Sequence, residues 1–332
     1  MFILNSYFIA VLFCFITMLC WGSWANTQKL SGQKWPFQLF YWDYSFGILF
    51  ITVLLAFTLG SSGSEGRSFL TDIQQADASY MTSALLGGII FNIANLLLVI
   101  TIEISGMAIA FPIGIGLALV LGVISNYDSQ TTGNPLLLML GVGCIVLAIL
   151  LDAIAYKSLP AQNNQTSRKG ILFSLLAGIS MGFFYKYVAA SMVTNFVQPE
   201  VGKLTPYSAL VIFAVGIVGS NFIFNTYNMY KPLSGRKVSF REYFQLGTPK
   251  LHMIGILGGS IWGIGMSFNI LASEQAGPAI AYGLGQGATL VAAIWGVFIW
   301  KEFKELPKQK NILLYAMFIC FVAGISLIVY SK

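Results

Sequence analysis

Long apolar runs alternate along this chain with short segments rich in Gly, Pro, Ser and Asn. A helix needs about 20 apolar residues to cross a bilayer, and ten runs reach that length. They fall at approximately 7–25, 40–59, 83–102, 106–124, 135–156, 170–190, 206–230, 251–272, 277–299 and 311–330. The breaks carry turn chemistry: Ser61-Ser62-Gly63-Ser64, Gly133-Asn134-Pro135, Pro160 with Asn163-Asn164, and Pro232 with Ser234-Gly235. Only Ile104-Ser105-Gly106 parts the third run from the fourth, so the count depends most on that break. The pattern predicts an all-α, polytopic membrane protein of ten transmembrane helices.

Composition excludes the alternatives. The 332 residues are 57% hydrophobic and 9% charged, against about 25% charged in soluble domains. Disorder needs the opposite balance. The net charge of +6 therefore points to no nucleic-acid partner. The lipid bilayer is the partner this composition requires. No cleavable leader is evident at the first run. Cys14, Cys20, Cys144 and Cys320 all lie in apolar runs and read as small buried hydrophobes. His252 has no ligand near it in sequence, so neither a metal nor a cofactor is expected.

The placement of charge gives the orientation. Ten spans put both termini on one side. Lys29, Lys34, Lys157, Arg168, Lys169, Lys231, Arg236, Lys237, Arg241, Lys250, Lys301, Lys304, Lys308 and Lys310 then share the other side. The termini keep only Arg67, Lys203 and Lys332, with Lys186 inside a span. The positive-inside rule makes the basic loops cytoplasmic and the termini outward-facing, in a plasma (inner) membrane.

The chain also repeats itself. At an offset of 171 residues, the segment 86–120 matches the segment 257–291 without a gap at 14 of 35 positions. Gly87/Gly258, Gly88/Gly259, Glu103/Glu274, Gly106/Gly277 and Ala108-Ile109-Ala110/Ala279-Ile280-Ala281 are among them. The halves, 1–160 and 161–332, each hold five spans. Five is odd, so the second repeat enters the membrane inverted. Inverted repeats suit a carrier, because two such halves can exchange inward-open and outward-open shapes around a midplane site. A duplicated bundle with no transport role is the plainer alternative.

Trp21-Gly22-Ser23-Trp24, Tyr41-Trp42-Asp43-Tyr44 and Phe91-Asn92-Ile93-Ala94-Asn95, taken in this order with the five-plus-five repeat, resemble the drug/metabolite transporter superfamily. Within it the chain is similar to the branch of glucose/ribose porters, rhamnose–proton symporters and plant ureide permeases. The resemblance implies ten helices, an outward N-terminus and uptake of a small polar solute coupled to a proton or another cation. Plant ureide permeases carry a long central cytosolic segment, whereas residues 157–169 here form a short loop. That difference favours the sugar porters.

Several residues stand out along a transport path. Pro112 lacks an N–H and opens the fourth span near its middle. Gly283 holds the equivalent place in the ninth, and such paired interruptions mark a transporter's hinge and site. Asn92 and Asn95 share a face of the third span. Asn269 lies in the eighth, and Gln286 and Thr289 in the ninth. Amides in hydrocarbon need partners and suit a neutral polar solute, or they tie helices together. Trp21, Trp24, Trp262, Tyr185 and Tyr282 offer flat surfaces on which a sugar or a planar ureide stacks, or they pack as core and belt aromatics.

Charged groups inside spans are costly and default to functional roles. Asp43 is the first candidate for ion coupling and Glu103 the second. Lys186 lies roughly 24 Å into its helix and either snorkels or pairs with a carboxylate. Glu103 and Glu274 are also placed to cap the helix that follows each of them. Together these features predict a proton-coupled importer of a small, polar, uncharged solute, a monosaccharide such as ribose, glucose or rhamnose first. An allantoin- or uracil-like ureide or nucleobase is the alternative, and a drug exporter a third. An enzyme would need a catalytic cluster, and none is evident. The GxG spacings lie inside spans and signal no dinucleotide. The sequence leaves the solute, the ion, the direction and any homodimer open.

Overall fold

A computed structural model describes residues 1–32, 35–127, 133–159 and 168–332. Lys34, the break at Pro160 and Asn163-Asn164, and the boundary between the two halves lie outside the described residues. Among those described, the chain is helical, with a single isolated β-bridge between Met192 and Leu204. The order is α1 Tyr7–Ser23, α2 Ala25–Ser31, α3 Phe37–Phe57, α4 Phe69–Gln75, α5 Ala78–Ser105 and α6 Met107–Ala110. A π turn at Phe111–Ile115 leads into α7 Gly116–Ser125. Then come α8 Pro135–Lys157, α9 Arg168–Ser191, α10 Pro206–Tyr230, α11 Phe240–Leu246, α12 Pro249–Ala276, α13 Pro278–Gly285, α14 Ala288–Ile294, a second π turn at Trp295–Ile299, and α15 Asn311–Val329.

Local sequence explains the starts. Pro135, Pro206, Pro249 and Pro278 occupy the first helical position, where a missing N–H costs nothing. Asn134 and Thr248 accept hydrogen bonds from the first free amides of α8 and α12.

Among the described residues, nine helical segments are long and apolar enough to cross a membrane, with α1 and α2 counted together and likewise α13, α14 and the second π turn. Of the ten expected spans, the fourth run forms a shorter apolar helix, Phe111–Ser125, which falls below spanning length. Gly106, at φ +73°, separates this element from α5. Pro112 removes a backbone donor, and the ladder widens into the π turn. The ninth run breaks elsewhere than expected. Gly283 sits inside α13, packed on Val123 and Ile328. The helical ladder shifts at Gln286-Gly287 instead, where the Gly287 N–H donates to the Leu284 carbonyl, three residues back. The break in the ninth run therefore lies beyond Gly283. Two short helices, α4 and α11, lie between the spans and are too short to register as apolar runs.

The two halves share structural detail. α5 and α12 have the same 28-residue length, and both limits are displaced by 171 residues. Each ends at a glycine with positive φ, Gly106 at +73° and Gly277 at +86°. Gly88 and Gly259 sit at matched helix crossings. A Cβ added to Gly88 would lie 2.0 Å from the Phe213 carbonyl oxygen, and one added to Gly259 would lie 1.9 Å from that of Tyr44. Only glycine admits those approaches. The packing also crosses between halves. α5 packs on α9 and α10, and α12 packs on α1 and α3. One hydrophobic core runs through both halves.

Candidate functional site

A cavity of about 320 Å³ lies where α1, α5, α7, α9, α12 and α14 meet. This is within the size range of small-molecule sites. Trp21, Trp24, Phe91 and Trp262 form its aromatic walls, and Asn95, Gln286 and Thr289 supply neutral polar groups. Glu103 and Ala25 also line it and are exposed, so the cavity is open at the end where α5 finishes.

The aromatic wall is held in place by the helices behind it. The Trp21 and Trp262 rings stack at 5.8 Å with planes 12° apart. Trp21 Nε1 donates to the Trp262 carbonyl at 3.3 Å. Phe91 lies 4.3 Å from the Trp262 ring, and Trp24 lies 4.7 Å from Tyr44. Asn95 Nδ2 donates to the buried Tyr41 hydroxyl at 3.2 Å, which fixes the amide beside the cavity. Thr289 Oγ1 donates to the Gln286 carbonyl at 3.0 Å, across the break in the ninth span.

Four of the sequence candidates serve packing instead. Asn92 Nδ2 donates to Ser220 Oγ at 2.8 Å, tying α5 to α10. Asn269 Nδ2 donates to the Ala281 carbonyl at 2.7 Å, tying α12 to α13. Tyr185 is fully buried against Tyr282. The Tyr282 hydroxyl donates to the Met181 carbonyl at 3.1 Å and to that of Ala118 at 3.3 Å. None of these four lines the cavity.

The charged candidates separate as well. Asp43 is 3% exposed. Its Oδ1 accepts from the Tyr243 hydroxyl at 2.5 Å and lies 2.9 Å from His252 Nδ1. Burial, and then the bond to Asp43, push the Tyr243 hydroxyl well above its ordinary pKa. Lys186 is exposed and pairs with no carboxylate among the described residues.

Among the described residues, neither matched glutamate is seen capping the helix that follows it. Glu274 Oε1 accepts from the Phe196 N–H at 2.6 Å, a loop amide. Glu103 faces the cavity mouth. The glycine turn after each glutamate starts a new helix, and α13 opens with Pro278, which has no N–H to offer.

Sequence reasoning missed three partners. Tyr243 and His252 are far from Asp43 along the chain; the α3–α12 crossing brings His252 to it, and α11, just before α12, carries Tyr243 to the same carboxylate. Asp72 is completely buried. It accepts from Arg67 Nε at 2.6 Å, from the Thr205 N–H at 2.8 Å and from Thr205 Oγ1 at 2.9 Å. The RxxxxD spacing of Arg67 and Asp72 was the one available signal.

The sequence pattern of the ureide permease family matches residues 40–170 and 161–331. The chain belongs to the ureide permease family. Ureide permease 4 of Arabidopsis thaliana is 22% identical over 387 residues, which cover 96% of this chain and 95% of that one. Ureide permease 1 of the same plant is 22% identical over 376 residues. A Streptococcus agalactiae protein named Putative sugar uptake protein is 23% identical over 319 residues, covering 95% of this chain and 96% of its own. A solved crystal structure is similar at a TM-score of 0.59 and 12% identity, over 96% of each chain, a likeness of fold alone. Ureide permease membership, with nine apolar spanning helices, makes the chain an integral-membrane transport protein.

Proposed function

We infer that this ureide permease relative is a secondary active importer of a small, uncharged, polar solute. The cavity carries the reading: an aromatic wall of Trp21, Phe91 and Trp262 faces the amides of Asn95 and Gln286 at the junction of the two halves. Flat rings stack on planar or carbohydrate faces, and amides both donate and accept. The first cargo class is a ureide or nucleobase-like amide, in keeping with the family and with the plant relatives' names. A monosaccharide is the second. It is supported by the streptococcal relatives' sugar-uptake names and by alignments to them that need no long insertion.

The matched limits of α5 and α12, the paired glycine turns and the crossed packing support two inverted five-helix repeats, with the shorter Phe111–Ser125 helix completing the tenth span. The loop charges support cytoplasmic basic loops and outward termini. On that orientation the cavity is open to the cytoplasm. A cation, first of all a proton, couples the cycle. Asp43 is its carrier, placed against α12, which also holds Trp262. Glu103 at the mouth is the second candidate.

Thermal stabilisation of the purified protein by allantoin, uracil, ribose, glucose and rhamnose tests the cargo. A shift with allantoin or uracil alone supports the ureide class. A shift with a sugar alone replaces it with the second reading. Proteoliposome uptake with and without a pH gradient then tests coupling, and equal accumulation in both would remove the proton.

A further inference from the structure

The duplication aligns Tyr282 with Phe111, and the structure places the two at opposite ends of the cavity. Along the ninth span, the chain runs from Gly277 through Tyr282 to Gln286, where it first meets the cavity. Tyr282 therefore stands beyond the closed end. Its ring fills the space over Gly122, where an added Cβ would lie 2.0 Å from the Tyr282 Cε1. Its hydroxyl donates to carbonyls on α7 and α9, those of Ala118 and Met181. One side chain thus seals α13 to the two helices that face it.

The equivalent seal at the other end is unmade. Phe111 sits in the π turn and lines the cavity near its open end. At the repeat offset of 171 residues, Ala118 corresponds to Thr289 and Gly122 to Ala293. Thr289 lines the same cavity. Thr289 therefore borders the void instead of meeting a sealing ring, with Ala293 buried one turn further along the same helix.

We propose that Tyr282 and Phe111 are an alternating pair of gate residues. In the state that shuts the open end, Phe111 packs on α14 at Thr289 and Ala293, while Tyr282 leaves Gly122, Ala118 and Met181. The inference rests on the carrier reading above. The two seals are unequal. Phe111 has no hydroxyl to donate, and Ala293 carries a methyl where Gly122 has none. The seal at Tyr282 is the stronger, so without solute the protein rests open at the Glu103 end. The π turn around Pro112 gives Phe111 backbone that can shift without breaking a regular ladder.

Thiol labelling of the full-length protein tests this without any solute. In a background with Cys14, Cys20, Cys144 and Cys320 replaced by Ala, Ile102→Cys reports the open end and Ser125→Cys the sealed end. Tyr282→Phe removes the hydroxyl bonds and is expected to slow maleimide labelling at Ile102→Cys about fivefold, the worth of roughly one net hydrogen bond, while speeding it at Ser125→Cys. Phe111→Tyr gains a donor at the opposite seal and moves both rates in the same directions. Unchanged rates in both variants overturn the proposal, as does a rise at both reporters together, which marks general loosening. A wild-type protein that takes up none of the five solutes while its reporters respond as stated would remove the cargo reading and leave the gates standing.

Discussion

His252 Nδ1 lies 2.9 Å from Asp43 Oδ1 across 209 residues of chain. The His252 side chain is 27% exposed and that of Asp43 4%, so the imidazole connects a buried carboxylate to solvent. Asp43→Asn is expected to abolish pH-driven accumulation while leaving solute exchange. His252→Ala is expected to shift the pH profile of uptake. Retention of full pH-driven accumulation in the Asp43 variant would exclude Asp43 as the carrier.

Tyr243 gives a pH dependence of stability. Its folded pKa is raised above the ordinary value of 10.0 by burial and by the bond to Asp43. A raised pKa means that its contribution is complete below pH 10 and is lost as pH rises through the folded value. Thermal stability should therefore carry a purely alkaline loss from this group, and Tyr243→Phe should flatten it. A loss that appeared between pH 5 and 8 would place the responsible group elsewhere.

Asn92 and Asn95 are one helical turn apart and predict phenotypes that differ in solute binding. Asn92→Ala removes a buried α5–α10 bond, while the Ser220 hydroxyl keeps its donation to the Ile217 carbonyl, and should destabilise by about 0.5–1.5 kcal/mol, with solute affinity kept. Asn95→Ala also removes a buried bond, leaving the Tyr41 hydroxyl unpaired, so it should cost about 1–3 kcal/mol and in addition weaken binding about tenfold. Calorimetric melting and solute titration of the two variants separate these outcomes.

Removing Arg67 leaves the fully buried Asp72 carboxylate without its cation. Arg67→Ala should cost about 3–5 kcal/mol. Replacing both partners, Arg67→Met with Asp72→Leu, should cost less than Arg67→Ala alone, because no charge is left stranded. Equal losses would mean that the ion pair is not what holds α4 to the segment ending at Thr205.

Glycine substitutions test the helix crossings. Gly259→Ala pushes a methyl to 1.9 Å from the Tyr44 carbonyl oxygen and should destabilise by about 1–3 kcal/mol. Gly219→Ala, with nothing within 4 Å, should be neutral or stabilise by up to about 1 kcal/mol. Melting curves in detergent compare them directly.

The spans and the repeat were legible because both live in local pattern. Apolar length marks a spanning helix, and Gly88 and Gly259 leave a mark at fixed offset. Part of the site was legible for the same reason, since Trp21, Trp24, Asn95, Trp262, Gln286 and Thr289 all reach the cavity. What periodicity could not supply was facing. Asn92 and Asn95 share a helix and a side-chain type, yet only packing decides that one meets Ser220 and the other the cavity. Gly283 was chosen by alignment with Pro112, but glycine keeps its N–H, and the ladder passed through it to fail at Gln286-Gly287. His252 read as isolated because its partner lies on a helix from the other half.

The crossed packing of α5 and α12 bears on how such a chain can arise. Each of these helices finds its main neighbours in the opposite half. A lone five-helix half would present the close-approach face of Gly87 and Gly88 to lipid, with no backbone there to meet it. An ancestor of half this length could have assembled this core only as a pair. On the proposed duplication, fusing the two genes would have freed each copy to diverge, and the hydroxyl of Tyr282, absent from Phe111, would be one trace of it.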